Sequence, residues 1–343
     1  MLNGIIIVKK ESGFTSNDVV AKMRGICKQK KIGHTGTLDP DATGVLPVCL
    51  GTGTKLCDML TERDKEYVAE LLLGVSTDTQ DVSGTVLEER PVTATQEQVR
   101  EAALSFVGPY DQIPPMYSAL KVNGKKLYEL AREGKEIERK ARRVEILELE
   151  ILDMQLPIVK LRVCCTKGTY IRTLCADIGE KLGCGGTMKS LVRTKVGRFT
   201  LEQAHTLSEL EKIRDEGLEK QAPEERAAGL ESVLIPTEIV FEDLKRVCTL
   251  PEADKYLLNG NAIPAEKTVI KANATAETKA NGAVVGNVAD GGLAGNLDGA
   301  AKKMDGRIRN GEQVRMCTSD GCFLGVFEYA GHERSFRPVK MFL

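Results

Sequence analysis

The first apolar run, "GIIIVKK", is short and uninterrupted and reads as a strand. "TSNDVVAKMRGICKQ" follows with helical spacing, and Thr15 or Ser16 is placed to cap it. "GHTGTLDPDATGVLP", Gly33 to Pro47, carries three glycines and two aspartates around a proline, and reads as loop. "KEYVAELLLGV" predicts a strand closed by the polar turn "STDTQDVSG", and "TATQEQVREAALSFVG" predicts a helix with a capping box from Thr95 to Gln98. In "PYDQIPPMYSALKVNGKKLYELAREG" the pattern breaks. Three prolines and a glycine turn precede a short helix, so this stretch reads as an irregular insertion arm rather than a core element. "RRVEILELEILDM" and "PIVKLRVCCTKG" predict neighbouring strands, the second alternating Val159, Leu161 and Val163 with Lys160 and Arg162.

"TYIRTLCADIGEKLG" is the clearest helix. Ile171, Leu174, Cys175, Ile178 and Leu182 make one apolar face, and Gly183 is a natural residue just past its end. Tyr170 and Arg172 fall in its first turn, off that face. The positive end of a helix prefers anions, so Arg172 is either a surface residue or held there by a carboxylate from elsewhere. From "LLNGNAIP" onward the chain predicts short strands, a hairpin at Ser319-Asp320-Gly321 and no long helix, which suggests a small barrel. That unit is interrupted by Lys271 to Asp305, dominated by Ala, Gly and Asn with no aromatic residue. Such a composition cannot bury enough apolar surface to offset chain entropy, so it reads as a flexible insertion.

A length of 343 residues fits about two domains, and 28% charged with 42% apolar residues fits a soluble, globular chain. No apolar run approaches the ~20 residues of a membrane span, and the start has no basic region or cleavage site of a signal peptide. The ten cysteines form no C-x-x-C pair and mostly sit in apolar runs, which fits a reduced, cytoplasmic protein without disulfides or zinc. The net charge of −1 gives no global pull toward nucleic acid. Two basic clusters, "KMRGICKQKK" and "KVNGKKLYELAREGKEIERKARR", nevertheless flank Gly33 to Pro47 and the strand after it.

Four chemistries compete for Gly33 to Pro47. A dinucleotide cradle needs G-x-G-x-x-G, and Gly33, Gly36 and Gly44 lack that spacing; no G-K-[ST] marks a P-loop. His34, Asp39 and Asp41 could ligate a metal, Mg²⁺ fitting carboxylates best, but no second histidine is near. Asp-Pro is also ordinary turn chemistry. A catalytic carboxylate is the remaining reading.

This stretch resembles the catalytic loop of the bacterial tRNA pseudouridine-55 synthases, the TruB family. "VKKESGFTSNDVV" is similar to that family's K-P-x-G-x-T-S segment, with Glu11 where the family has proline. "DKEYVAELLLGVSTDTQDVSG" is similar to its tyrosine strand, "IPPMYSALKVNGKKLYELAREG" to its RNA-gripping insertion, and "KGTYIRTLCADIGEKLGCGG" to its arginine motif. The C-terminal unit resembles a PUA domain, an RNA-binding pseudo-barrel.

The resemblance implies an α+β fold: a mixed, mainly antiparallel sheet flanked by helices, plus a small PUA-like β pseudo-barrel. It places a catalytic domain at 1–236 with the RNA-gripping insertion at about 92–143, and the PUA-like domain at 245–343, interrupted at 271–305. It implies isomerisation of the T-loop uridine at position 55 of tRNA, without a cofactor. Asp39 would act either as nucleophile on the anomeric carbon or as base toward the ribose 2′ proton. Arg172 would pair with Asp39 and hold down its pKa. Tyr67 would pack on the target base and serve in proton transfer, Tyr170 and Leu191 would wall the pocket, His34 would attend base flipping, and Lys121 would contact phosphate. The PUA-like unit would hold the acceptor end of the tRNA, and the enzyme would act as a monomer in the cytoplasm. Rival readings are a guide-RNA-dependent synthase, a pure RNA-binding module, and a metal hydrolase using His34 and Asp39.

Overall fold

A computed structural model describes residues 1–122, 124–218, 228–271 and 308–343. The chain forms two compact units, Met1–Ile235 and Pro236–Leu343. In the first, β1 (Gly4–Lys10), α1 (Ser16–Cys27), β2 (Ile32–His34) and β3 (Thr43–Leu50) are followed by α2 (Cys57–Thr61), β4 (Lys65–Leu73) and a small hairpin, β5 (Val75–Thr77) with β6 (Val86–Glu89). Next come α3 (Gln96–Leu104), β7 (Gly108–Gln112), a second hairpin of β8 (Lys121–Val122) and β9 (Lys125–Lys126), and α4 (Leu127–Arg132). The unit closes with β10 (Arg142–Gln155), β11 (Ile158–Cys165), α5 (Ile171–Lys181), β12 (Gly186–Val196), β13 (Phe199–Thr200) and α6 (Leu207–Leu218).

Seven of these strands run in the order β1-β3-β12-β4-β11-β10-β7, with β2 joined to β3 and β13 to β12. Every pairing is antiparallel except β3 with β12. β4 lies at the centre, and its burial alternates strictly because its inner side chains, Tyr67, Ala69, Leu71 and Leu73, face the core while Glu66 and Glu70 do not. The apolar face of α5 (Ile171, Leu174, Cys175, Ile178) packs into that same core. Ile5, Ile6, Ile7 and Val8 are each at most 1% exposed, and burying such side chains is worth ~1.5–3 kcal/mol apiece.

Two stretches differ from their sequence reading. Gly33-His34 and Thr43–Pro47 are strand, because Gly33, His34, Val48 and Cys49 complete a ladder between β2 and β3; the loop proper is 35–42. The opening of the proline-rich arm is also a core element. Gly108–Gln112 pairs with Arg142–Ile146 as the edge strand β7, where Pro109 is tolerated because an edge leaves one side unbonded. From Ile113 to Arg132 the arm is built of turns, the β8–β9 hairpin and α4, with its own small core of Met116, Leu127 and Leu130.

The second unit comprises β14 (Lys245–Thr249), α7 (Asp254–Leu258), β15 (Ile263–Pro264), β16 (Thr268–Lys271), β17 (Gln313–Cys317), β18 (Phe323–Ala330) and β19 (Ser335–Met341). Its six strands form one sheet in the order β15-β19-β18-β17-β14-β16, over a core that includes Val247, Val314, Met316, Phe327 and Phe336. This is the PUA-like half-barrel; β17 and β18 form the hairpin expected around Ser319-Asp320-Gly321. The Ala/Gly/Asn-rich stretch beyond Lys271 lies outside the described residues.

Candidate active site

Three anchors hold the loop 35–42. The Ser16 hydroxyl, at the start of α1, accepts a hydrogen bond from the Leu38 N–H at 2.9 Å. The Lys10 ammonium, at the end of β1, donates to Ala42 O at 2.6 Å, Pro40 O at 2.8 Å and Glu11 O at 3.0 Å. Beneath the loop, the Arg193 guanidinium from β12 donates to Val45 O, Gly36 O and Thr37 O. Within the loop, Asp39-Pro40-Asp41-Ala42 forms a β-turn closed by Ala42 N–H to Asp39 O at 3.1 Å, with proline in the position its fixed φ suits. Gly44 has φ +108°, and a Cβ there would stand 2.2 Å from Arg193 O, so only glycine lets β3 and β12 meet at this point.

The turn leaves the Asp39 carboxylate facing Arg172. Nε lies 3.1 Å from Oδ2 and Nη2 3.3 Å from Oδ1, a two-pronged contact. Arg172 is almost fully buried, whereas the Asp39 side chain keeps 41% of its surface open. The arginine's other donors are also taken: Nη1 by Asp81 Oδ2 at 3.3 Å and Thr79 O at 3.1 Å, Nη2 by Tyr117 O at 2.8 Å. An arginine in the first turn of a helix thus has two carboxylates to offset its unfavourable position.

Protein surrounds Asp39 on most sides, and this burial pushes its carboxyl above the ordinary value; Arg172 draws it back and Asp81 pushes it up further. Arg172 holds the carboxyl down as expected, but desolvation outweighs it. Tyr67 is also raised, by burial first, so its phenol stays protonated near neutrality.

Leu191 on β12 lies in one apolar cluster with Tyr67, Leu38 and Ala42, so the loop and the neighbouring strands share a floor. Tyr170 caps the start of α5 and is clamped by Gln112, whose amide donates to Tyr170 O at 3.0 Å and accepts from Tyr170 N–H at 2.8 Å. His34 ends β2, half-buried, and its Nδ1 accepts the Gly36 N–H at 3.3 Å; burial lowers its pKa, so the ring is neutral. Lys121 is exposed on the β8–β9 hairpin, outside this set.

Sequence reasoning missed Asp81, Gln112, Lys10 and Arg193. Asp81 sits in a turn docked on β12 by Met188 N–H to Gln80 O and Val82 N–H to Met188 O. Its Oδ1 accepts from Thr79 and Ser83, which leaves Oδ2 for Arg172. Within the stretch "STDTQDVSG", a carboxylate among hydroxyls was the available signal.

A family model described as TruB family pseudouridylate synthase (N terminal domain) matches residues 24–171, and one described as tRNA pseudouridylate synthase B C-terminal domain matches 172–242. This chain belongs to the TruB family of pseudouridylate synthases. It is 48% identical over 351 residues to a tRNA pseudouridine synthase B of Lachnoclostridium phytofermentans, covering 100% of both chains. It is 47% identical to that of Alkaliphilus oremlandii, over 76% of this chain and 83% of the relative. The fold is similar to a solved chain from an H/ACA RNP bound to a substrate RNA containing 2′-deoxyuridine, with a TM-score of 0.65 and 22% identity over 99% of this chain and 85% of that one. In this TruB-family chain the boundary between the two matched models falls between Ile171 and Arg172.

Proposed function

We infer that this chain is a tRNA pseudouridine synthase that isomerises the uridine at position 55 of the T loop. The observation that carries this reading is the Asp39–Arg172 contact at an open face of a TruB-family sheet, with Tyr67 on the adjoining floor. The net reaction detaches uracil from C1′ through N1 and reattaches it through C5, with loss of the C5 proton and gain of one at N1. No electrons leave the substrate, so carboxylate and phenol suffice for the proton and bond traffic.

Asp39 either attacks C1′ or removes the 2′ proton; its partial desolvation raises its basicity for both roles. Arg172 keeps the carboxylate ionised and aimed. Tyr67 stays protonated, which suits it to stack beneath the base and to exchange a proton with it. A uridine inside a folded T loop must leave its stack, at a cost of a few kcal/mol. His34, neutral and at the loop entrance, is placed to occupy the space it vacates. Tyr170 and Leu191 wall the pocket, and Lys121 and its basic neighbours on the arm meet phosphates. The PUA-like unit takes the acceptor end. One chain supplies every group of this site, which supports action as a monomer, and no helix among the described residues is long and apolar enough to cross a membrane, in keeping with work in the cytoplasm.

The test is to incubate purified protein with an unmodified tRNA pool and map pseudouridine by nucleotide position. Modification confined to position 55 supports the reading. Modification elsewhere, or none, overturns it.

A further inference from the structure

Among the described residues Arg193, 1% exposed, is the bulkiest fully buried side chain, and no carboxylate pairs with it. A buried guanidinium without a counter-ion is costly and persists only where other groups take its donors. Its acceptors are specific. Nε donates to Val45 O at 2.8 Å, Nη2 to Gly36 O at 3.3 Å and Nη1 reaches Thr37 O at 3.5 Å, and the positive charge also acts on the phenol of Tyr67, its register partner on β4. The carbonyls of Gly36 and Thr37 precede Asp39 in the loop, and Val45 follows it in β3. The Arg193 backbone also lies between the same partners, paired with Gly44 on one side and Tyr67 on the other.

We propose that Arg193 is the positioning residue of this site, joining the Asp39 loop and the Tyr67 phenol through one buried guanidinium. The inference rests on the reading of Asp39 and Tyr67 given above. A planar fork reaches carbonyls on both arms of the loop at once, while its charge lies beside Tyr67. A lysine is a point charge and cannot span them. Arg193 thus acts on the reaction through two other groups and never through the substrate.

The test compares Arg193→Lys with the parent in single-turnover pseudouridine formation, in tRNA affinity and in amide hydrogen exchange. Arg193→Gln replaces it should the lysine variant be insoluble. The expected result is a rate at least tenfold lower, with tRNA Kd within threefold and faster exchange confined to residues 35–42. In a Tyr67→Phe background the same substitution is expected to cost less than in the parent, since one of its two targets is gone. A rate within twofold of the parent overturns the proposal. So does accelerated exchange throughout Met1–Ile235, which marks a purely structural arginine, or an equal loss in both backgrounds, which removes the link to Tyr67. Asp39→Asn measured alongside separates the two readings. If Asp39→Asn is inactive while Arg193→Lys is not impaired, only the role of Arg193 fails; if Asp39→Asn turns over, the assignment of Asp39 fails.

Discussion

Arg172 and Asp81 stand 3.3 Å apart, Nη1 to Oδ2, so the guanidinium that grips Asp39 is itself gripped from behind. Asp81 is 17% exposed against 41% for Asp39, and the negative charge it adds pushes the Asp39 carboxyl up. The sign of a pH effect follows. Asp39 acts as carboxylate, so activity rises with pH through a pKa that lies above the ordinary aspartate value. Asp81→Asn removes the repulsion and is expected to move the acid limb of the kcat/KM profile to lower pH. It also frees one prong of Arg172, so the plateau rate falls by about tenfold, the cost of roughly 1.4 kcal/mol of misalignment. An acid limb that stays put shows that Asp81 does not act on Asp39 by charge.

Asp39→Asn keeps shape and loses charge. It is expected to abolish pseudouridine formation while tRNA Kd stays within a few-fold, because the loop backbone is held by Ser16, Lys10 and Arg193 rather than by the carboxylate. Filter binding beside single-turnover assays checks both halves, and retained turnover removes Asp39 from the chemistry.

Arg172→Ala leaves Asp39 and Asp81 facing each other with no cation between them, and strands the carbonyls of Thr79 and Tyr117. Loss of one partner from a buried pair costs ~3–5 kcal/mol; the partial exposure of Asp39 puts this site at the low end. Activity is expected to fall by at least a thousandfold, and melting temperature to drop. Near-normal turnover in a folded variant means that the ion pair is dispensable.

Asp39 and Arg172 were legible because each lies in a contiguous motif, and because a cation in the first helical turn asks for a partner. Gln112, Asp81 and Arg193 were not, since their roles arise from pairings between distant strands. Gln112 meets Tyr170 across 58 positions, and only the register of β7 on β10 brings it there. That strand was itself obscured by Pro109 and by a sequence without alternation. The net shift of Asp39 needed coordinates, because desolvation depends on the walls around a group and not on its neighbours in sequence. Gln112→Leu tests such a long-range contact: Tyr170 O keeps the Leu174 N–H at 3.1 Å, but the Tyr170 N–H is left unsatisfied at ~1–3 kcal/mol. Melting temperature is expected to fall together with the pseudouridylation rate, and a rate unchanged in a destabilised protein means that Tyr170 is held by other contacts.

Lys10 carries the last expectation. Its ammonium is fully buried and donates to three carbonyls, two of them, Pro40 and Ala42, in the turn that aims Asp39. Burial pushes its pKa down to about 8, while Asp41 and Asp39 pull it up. In the unfolded chain the same lysine titrates near 10.4. Below pH 8 both states hold the proton, and the folded state bears the full penalty of a buried charge. Between pH 8 and 10.4 the unfolded chain binds more protons, so Lys10 makes stability rise with pH in that window. Lys10→Met abolishes this contribution and the three hydrogen bonds. Urea unfolding at pH 7 and pH 9.5 is expected to show the variant less stable at both, with the gap to the parent wider by about 1–2 kcal/mol at the higher pH. A gap that narrows means that the three carbonyls hold the ammonium charged beyond pH 9.5, so that burial does not dominate at Lys10.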